Sequence, residues 1–298
     1  MFTYRRWPAL LLGTCLLFTT GKPQTSQRAP RIAVLDFADA GLGKVASARF
    51  ATTLASVPGL AIVNRDLARA AARGTGYSGS LNLTVAEARD LGAAIGCDFY
   101  VIGDSQTVRR SPSTGPVHFE SYASIFLVSA RTGKLISWER PSFEASTAEA
   151  AQQLLLGQLA KDETGRRYLI AVQSAKEAER RARVIALEQN MPIIEEAADE
   201  NSSDGQSFRP PRPYRRLRPA YPDSAARADA EGTVDVLVDL DKDGEVSRVD
   251  VARWAGFGLD EATVDTVRQL HFFPARRDGV ATPTRVLLRY NFRRPAKK

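Results

Sequence analysis

Histidine and cysteine are nearly missing, two of each among 298 residues, and that scarcity removes several function classes at once. His118 and His271 have no cysteine or second histidine at metal-ligand spacing and no serine motif that would pair with them, so zinc chemistry and histidine-driven nucleophilic catalysis have nothing to build on. Cys15 falls inside an apolar run with Leu16, Leu17 and Phe18 still to come, the wrong place for a lipid-carrying cysteine. Removal of that run would leave Cys97 alone, without a partner for an internal disulfide; it reads as a small buried residue opening a strand. A bilayer-spanning apolar stretch is lacking too: Ala9 to Thr20 is about 12 residues against the roughly 20 that a helix needs. Asp36 and Asp39, at a strand end, read as surface or capping carboxylates. No enzyme activity, catalytic residue, metal or cofactor is expected.

What is present begins with an address. Arg5 and Arg6 precede the apolar run and small or polar residues follow it to Lys22, the order of a secretory signal over residues 1–21 removed near Gly21. Apolar residues make up 44% of the chain, enough for a core in each of two domains. The net charge of +7 is unevenly placed. Arg209, Arg212, Arg215, Arg216 and Arg218 sit together, and Arg293, Arg294, Lys297 and Lys298 close the chain. Such a patch suits a solvated linker and tail, with anionic lipid or wall polymer as the alternative and no role for nucleic acid.

Between residues 31 and 160 the pattern predicts a layered α/β domain. Ile32 to Phe37 reads as a buried strand, Val45 to Ala55 as a helix, Leu60 to Val63 as a strand and Asp66 to Arg73 as a helix. Thr84 with Glu87 forms a capping box for a helix to Ile95, ended by Gly96. Phe99 to Ile102 is strand again. Val117–Ser129 and Lys134–Phe143 form a hairpin around Arg131-Thr132-Gly133, and a helix from Thr147 to Leu159 covers one face. Residues 163–191 predict a long exposed helix supported by Glu177–Arg181 and Glu179–Arg183 pairs. Residues 192–213, first acidic and then Pro/Arg-containing, predict a disordered linker. The segments Arg31-Ile-Ala-Val-Leu-Asp-Phe, Val63-Asn-Arg-Asp-Leu, Ala88 to Asp98, Val101-Ile-Gly-Asp-Ser and Arg131-Thr-Gly-Lys follow one another as they do in CsgG-like and LpoB-like periplasmic domains. That resemblance implies protein–protein work in the envelope.

The C-terminal part, residues 214–293, reads as ββαβ, so the chain as a whole mixes α/β and α+β. Val234, Val236 and Val238 alternate with Asp235, Leu237 and Asp239; Asp241-Lys-Asp-Gly244 turns; Val246, Val249 and Val251 resume. A helix runs from Leu259 to His271, with His271 complementing its C-terminus. Asp278-Gly279 turns into a last strand from Thr284 to Phe292. With Pro219-Ala-Tyr221-Pro222, Glu231-Gly232-Thr-Val, Asp243-Gly244-Glu-Val, Gly258-Leu-Asp260 and Phe273-Pro274-Ala275, this segment resembles a TonB C-terminal domain.

The resemblance implies a non-enzymatic, periplasmic protein that binds the TonB-box peptide of a TonB-dependent outer-membrane receptor along its last strand, here Arg285, Val286, Leu287, Leu288, Arg289 and Tyr290. Tyr221 and Pro222 would make accessory contacts. It also implies support of transport across the outer membrane, and names an ExbB/ExbD-type motor, another envelope protein or a second copy of the chain as further partners. Two departures stand against force transmission: the apolar run is short, and only Pro210-Pro211-Arg-Pro213 remains of a Pro-rich rod. The alternatives are an inner-membrane-anchored protein facing the periplasm and a non-energised envelope scaffold.

Three patterns mislead. Asp239 to Asp250 spaces its oxygens like a calcium-binding EF-hand loop, but its flanks alternate at period two, so it reads as a hairpin turn. Gly74-Thr-Gly76-Tyr-Ser-Gly79 fits a dinucleotide pattern yet follows a helix, and reads as a loop. Asn82-Leu83-Thr84 is a sequon whose Thr84 is accounted for by capping. Trp254 reads as a core or rim aromatic.

Overall fold

The computed structural model describes residues 28–38, 41–188, 195–196 and 208–294. The export segment and Asp39 lie outside them. In chain order the first domain contains β1 (Arg31–Val34), α1 (Leu42–Ala55), β2 (Ala61–Ile62), α2 (Arg65–Gly74), α3 (Val85–Ile95) and β3 (Phe99–Arg110). Then come β4 (His118–Ser129), β5 (Leu135–Glu139), β6 (Ser142–Ala145), α4 (Ala148–Leu159) and α5 (Asp162–Glu188). The sheet runs β2-β1-β3-β4-β5, with β6 also on β4; β1 is parallel to both neighbours and β3 is antiparallel to β4.

Strand alternation sorts the core into two layers. Ile32, Val34, Phe99, Val101, Ile125 and Leu127 face α1, α4 and α5, where Phe50, Leu54, Leu155 and Tyr168 complete a buried cluster. Ala33, Leu35, Tyr100, Ile102, Phe126 and Val128 point the other way, towards α2 and α3. Ala46, Phe50 and Leu54 recur every fourth residue on the buried side of α1, which is why that stretch is a helix and why it docks where it does. Thr84 and Glu87 make the capping box, and Gly96 closes α3 at φ 69°.

Three local expectations change. The second arm of the hairpin is two strands, because Pro141 has no N–H for the ladder and breaks it between β5 and β6. α5 is not exposed all round: Tyr168, Val172 and Ala175 are buried at helical spacing against α1's layer. Its expected i,i+4 pairs also give way. Glu179 turns to Ser129 at the end of β4 and Arg131 in the turn after it, and Glu177 pairs with Arg180. A two-pronged arginine and a fixed hydroxyl outbid a solvated neighbour on the same helix.

The rest of the chain supplies β7 (Glu195–Glu196), β8 (Phe208–Arg209), β9 (Arg212–Pro213), α6 (Asp223–Ala228), β10 (Gly232–Leu240), β11 (Val246–Arg253) and α7 (Leu259–Val267). It ends with β12 (Phe272–Phe273), β13 (Arg276–Arg277), β14 (Val280–Ala281) and β15 (Thr284–Phe292). Residues 208–213, assigned to the linker by their prolines and arginines, are ordered: β8 pairs with β13 and β9 with β12. Phe208 is buried with the Arg277 guanidinium 5.5 Å over its ring, a contact that composition does not reveal. Asp241 Oδ1 accepts from the N–H groups of Asp243 and Glu245, so the calcium-like run is a hairpin turn. His271 sits beyond the helix, whose last residue is Val267, and its Nδ1 lies 2.8 Å from Glu245.

The two domains share a core. Trp254, only 1% exposed, stacks on Phe126 of β4 with ring centroids 6.0 Å apart, and its Nε1–H donates to Gly133 O at 3.0 Å. Phe257 meets Phe126 edge-on and lies 5.3 Å from Trp138. Gly256, at φ 73°, passes so close that a Cβ would stand 2.4 Å from Phe126. Asn82 ties the rim: its Nδ2 donates to Thr233 O and Trp254 O, and its Oδ1 accepts from Thr233 N. Trp254 N–H donates to Leu83 O, and Arg253 reaches Asn82 O. Asp260 holds the docking loop by accepting from the N–H groups of Ala255 and Gly256, both at 2.8 Å. Burial pushes its carboxyl up to about 6.

Trp254→Ala should cost about 3–5 kcal/mol and split calorimetric unfolding into two transitions as the domains uncouple. For Asp260 the folded state keeps the proton to higher pH than the unfolded chain, whose carboxyl titrates near ~3.9, so this group lowers stability as pH rises towards 6. Melting curves across that window should show a downward trend in the wild type that Asp260→Asn lacks.

Candidate functional site

A sheet edge is chemically unfinished: alternate N–H and C=O groups point outward with no partner. The C-terminal sheet has the order β11-β10-β15-β7, so β10 is central and β15 carries one of its flanks. β15 pairs with β10 along its whole length, Thr284 opposite Leu240 to Phe292 opposite Gly232. On its other side Thr284 and Arg285 lie in parallel register with Glu195 and Glu196. From Val286 onward no described strand pairs with that outer side. The open edge is therefore shorter than the sequence implies, because the chain's own residues occupy its first two positions.

The opposite flank is not equivalent. At its C-terminal end β11 meets the first domain through a Thr84–Arg253 bridge and the Trp254–Leu83 hydrogen bond. Its other end carries the turn at Asp241–Gly244. Docking thus engages one flank and leaves the β15 flank outward.

Alternation fixes what stands beside the open edge. Val286, Leu288 and Tyr290 turn inward and pack on the core, while Arg285, Leu287 and Arg289 face solvent. Leu287 is 54% exposed and lies opposite Leu237. Above and below this apolar pair stand two ion pairs. Arg285 clasps Asp239 with both prongs, at 2.6 and 2.9 Å, and Arg289 does the same to Asp235 at 2.7 and 2.9 Å. Arg253 adds a third contact to Asp235 at 3.3 Å. These contacts explain why Asp235 and Asp239, on a solvent-facing row, are 3% and 2% exposed. The Arg289 hydrogen bonds hold Asp235's carboxyl below the usual range against its burial.

Of the expected contact residues, Arg285 to Tyr290 lie together on β15, whereas Tyr221 is turned inward. Its hydroxyl donates to Ala230 O at 2.6 Å and closes the loop around α6, so its geometry is that of a structural brace. Pro222 precedes α6 as its N-cap. The reactive-looking residues are scattered. Asp36 pairs with Arg65 and Arg69, His118 lies 3.6 Å from Glu144, and burial pushes the Cys97 thiol up to about 12. Among the described residues no group of three or more His, Cys, Asp and Glu side chains is placed to hold a metal ion. No described helix is long and apolar enough to cross a membrane. Asn82, for which sequence reasoning found no structural role, and Trp254, read as a core or rim aromatic and buried as such, orient the site by fixing the domain that carries it. The only signal for Asn82 was a sequon, which pointed elsewhere.

Comparison with known proteins agrees with the C-terminal motifs. Residues 218–293 match the family model described as the Gram-negative bacterial TonB protein C-terminal. Among solved structures, the TonB C-terminal domain of Pseudomonas aeruginosa is 24% identical, covering 32% of this chain and 93% of that one, with a TM-score of 0.23. Lipoprotein GNA1162 of Neisseria meningitidis is 16% identical over 47% of this chain and 98% of that one, with a TM-score of 0.33. The LpoB C-terminal domain of Salmonella enterica is 12% identical over 40% and 85%, with a TM-score of 0.28. No curated protein matches the chain.

Because Asp235 stays ionised to lower pH in the folded state, the unfolded chain binds more protons in the window beneath its usual value of ~3.9, and stability rises with pH there. Urea midpoints should show the wild type's advantage over Asp235→Asn complete above that value and shrinking as pH falls through it.

Proposed function

We propose that this protein is a periplasmic TonB-like adaptor that takes up extended peptides of TonB-dependent outer-membrane receptors by strand addition along β15, in support of transport across the outer membrane. The observation that carries the reading is the outer side of β15 from Val286 onward, a row of main-chain groups beside an exposed Leu287. The TonB-type family match over residues 218–293 supports the same reading. An added strand would alternate its side chains between two environments: Val286, Leu288 and Tyr290 on the helix side, and Arg285, Leu287 and Arg289 on the solvent side. Both arginines are already neutralised by aspartate. Main-chain bonds and apolar contact therefore supply the grip, and binding depends little on salt.

A second reading, a non-energised envelope scaffold, is favoured by the docked arrangement itself. The peptide-binding module is fixed to a large α/β domain through a buried tryptophan. In that role the partners would be other envelope proteins, further copies of this chain or anionic wall polymer reached through the basic residues near Arg212. An ExbB/ExbD-type motor belongs to the first reading only.

The test uses the full chain, because a fragment beginning at Phe208 would strip Trp254 and Phe257 of their cover. Titration with TonB-box peptides should saturate and change little with ionic strength. Adjacent residues in a strand direct their N–H groups to opposite sides, so Leu287→Pro and Leu288→Pro should behave differently. One removes an outward donor, losing peptide binding by about ten-fold or more while remaining folded; the other breaks the β10 ladder and lowers stability by about 3 kcal/mol. Failure of every box peptide to bind would move the assignment to the scaffold.

A further inference from the structure

The first domain has a second surface, away from the strand edge. A groove of about 1100 Å³ runs between the C-terminal half of α3, the start of β3, the turn after β4 and the second half of α5. Charges line it, and most of the acids are already engaged. Glu179 holds Arg131, Glu177 holds Arg180, and Asp98 accepts from the Arg31 N–H at 2.7 Å. Arg28, Arg89, Lys176 and Arg183 remain with no carboxylate partner among the described residues, against Asp90 and Asp98 as the acids there without a cationic partner. Arg31 joins Arg28 and Lys176 around a neighbouring recess of about 420 Å³ that Asp98 also lines. A concave wall with an excess of positive charge concentrates field lines and attracts anions.

Two further observations decide which anion. α5 continues past the groove with Val184 and Ile185, 48% and 51% exposed, one helical turn beyond Arg180 and Arg181. Basic and apolar side chains together on the end of a helix suit a lipid interface, where headgroup phosphates and acyl boundary lie side by side. A soluble polyanion would leave the two apolar residues unmatched. Arg28 also lines this groove, and the sequence from Gly21 to Pro30 holds Lys22 and Arg28 with no acid. The apolar run ending at Thr20 precedes Arg28 by eight residues, a reach of at most about 29 Å. Were the run retained, Arg28 would stand within that distance of it.

We propose that this face docks on an anionic phospholipid surface, with Arg28, Arg89, Lys176 and Arg183 meeting headgroup phosphates and Val184 and Ile185 entering the headgroup boundary. The inference is independent of strand addition on β15.

The test is co-sedimentation of the full chain with vesicles of phosphatidylglycerol and phosphatidylcholine, against phosphatidylcholine alone, at low and high salt. The apolar run partitions into both kinds of vesicle, so their difference reads the charged face. Each basic residue near such a surface contributes roughly five-fold. Arg89→Gln/Lys176→Gln/Arg183→Gln should therefore weaken binding to anionic vesicles by roughly a hundred-fold, leave phosphatidylcholine binding unchanged and reduce the salt dependence. Val184→Ser/Ile185→Ser should weaken the anionic binding without altering its salt dependence. Circular dichroism checks folding, and these side chains are exposed or half-buried. Equal binding of wild type and charge variant to anionic vesicles would overturn the proposal. So would loss of binding in Arg212→Gln/Arg215→Gln/Arg216→Gln instead, or tight groove-dependent binding of dextran sulfate with no preference for anionic vesicles.

Discussion

A buried indole needs both an apolar bed and a partner for its N–H, and Trp254 obtains both from the first domain. The ring lies on Phe126, and the N–H reaches the carbonyl of Gly133 in the turn after β4. Gly133, at φ 68°, has its Cα so near Val85 O that a Cβ would stand 2.1 Å from it. The turn, the start of α3 and the tryptophan acceptor are therefore a single fitted piece. Around it Asn82 uses both amide hydrogens and its carbonyl oxygen on the second domain's backbone. Uncoupling the domains would expose the ring and leave these polar groups without their protein partners, so docking belongs to the folded state of both halves.

That constraint gives the C-terminal sheet an asymmetry that its strand order lacks. The ends of β10 and β11 are pinned where Thr233, Arg253 and Trp254 meet Asn82 and Leu83. β15 is tied to these strands through β10 along its whole length, with β7 on its first two positions. A strand approaching from outside meets β15 as an edge whose position is set by a rigid neighbour, which lowers the entropy lost when the ladder extends. The aspartates on β10 reinforce this by clasping Arg285 and Arg289, so the solvent-facing side chains of the edge strand are already held in one arrangement.

Local order was largely legible in the sequence, whereas long-range order was not. The capping box at Thr84 and Glu87, the Gly96 stop and the last strand from Thr284 to Phe292 lie where their spacing put them, because each depends on residues a few positions apart. The alternation that sends Val286, Leu288 and Tyr290 inward is likewise a property of the strand itself. What escaped depends on partners far along the chain. Glu179 left its helical neighbour for Arg131, 48 residues away, and Asn82 bonds to Thr233, 151 residues away. Phe208 and Arg212 looked like linker because proline and arginine dominate their surroundings, yet they pair with β13 and β12. Composition averages over a window and cannot register a strand of two residues that a distant partner holds.

Energetics then limit what an edge of this kind can do. Ordering a peptide residue costs about 1–2 kcal/mol of backbone entropy, and a main-chain hydrogen bond returns only about 0.5–1.5 kcal/mol net of water. A ladder along Val286 to Phe292 therefore comes close to balance by itself. Since Asp235 and Asp239 already occupy the arginines beside it, charge adds little. The deciding contribution falls to apolar contact with Leu287 on one face and with the rims of Leu288 and Tyr290 on the other. An edge of this kind would discriminate by the side chains of an added strand more than by its backbone.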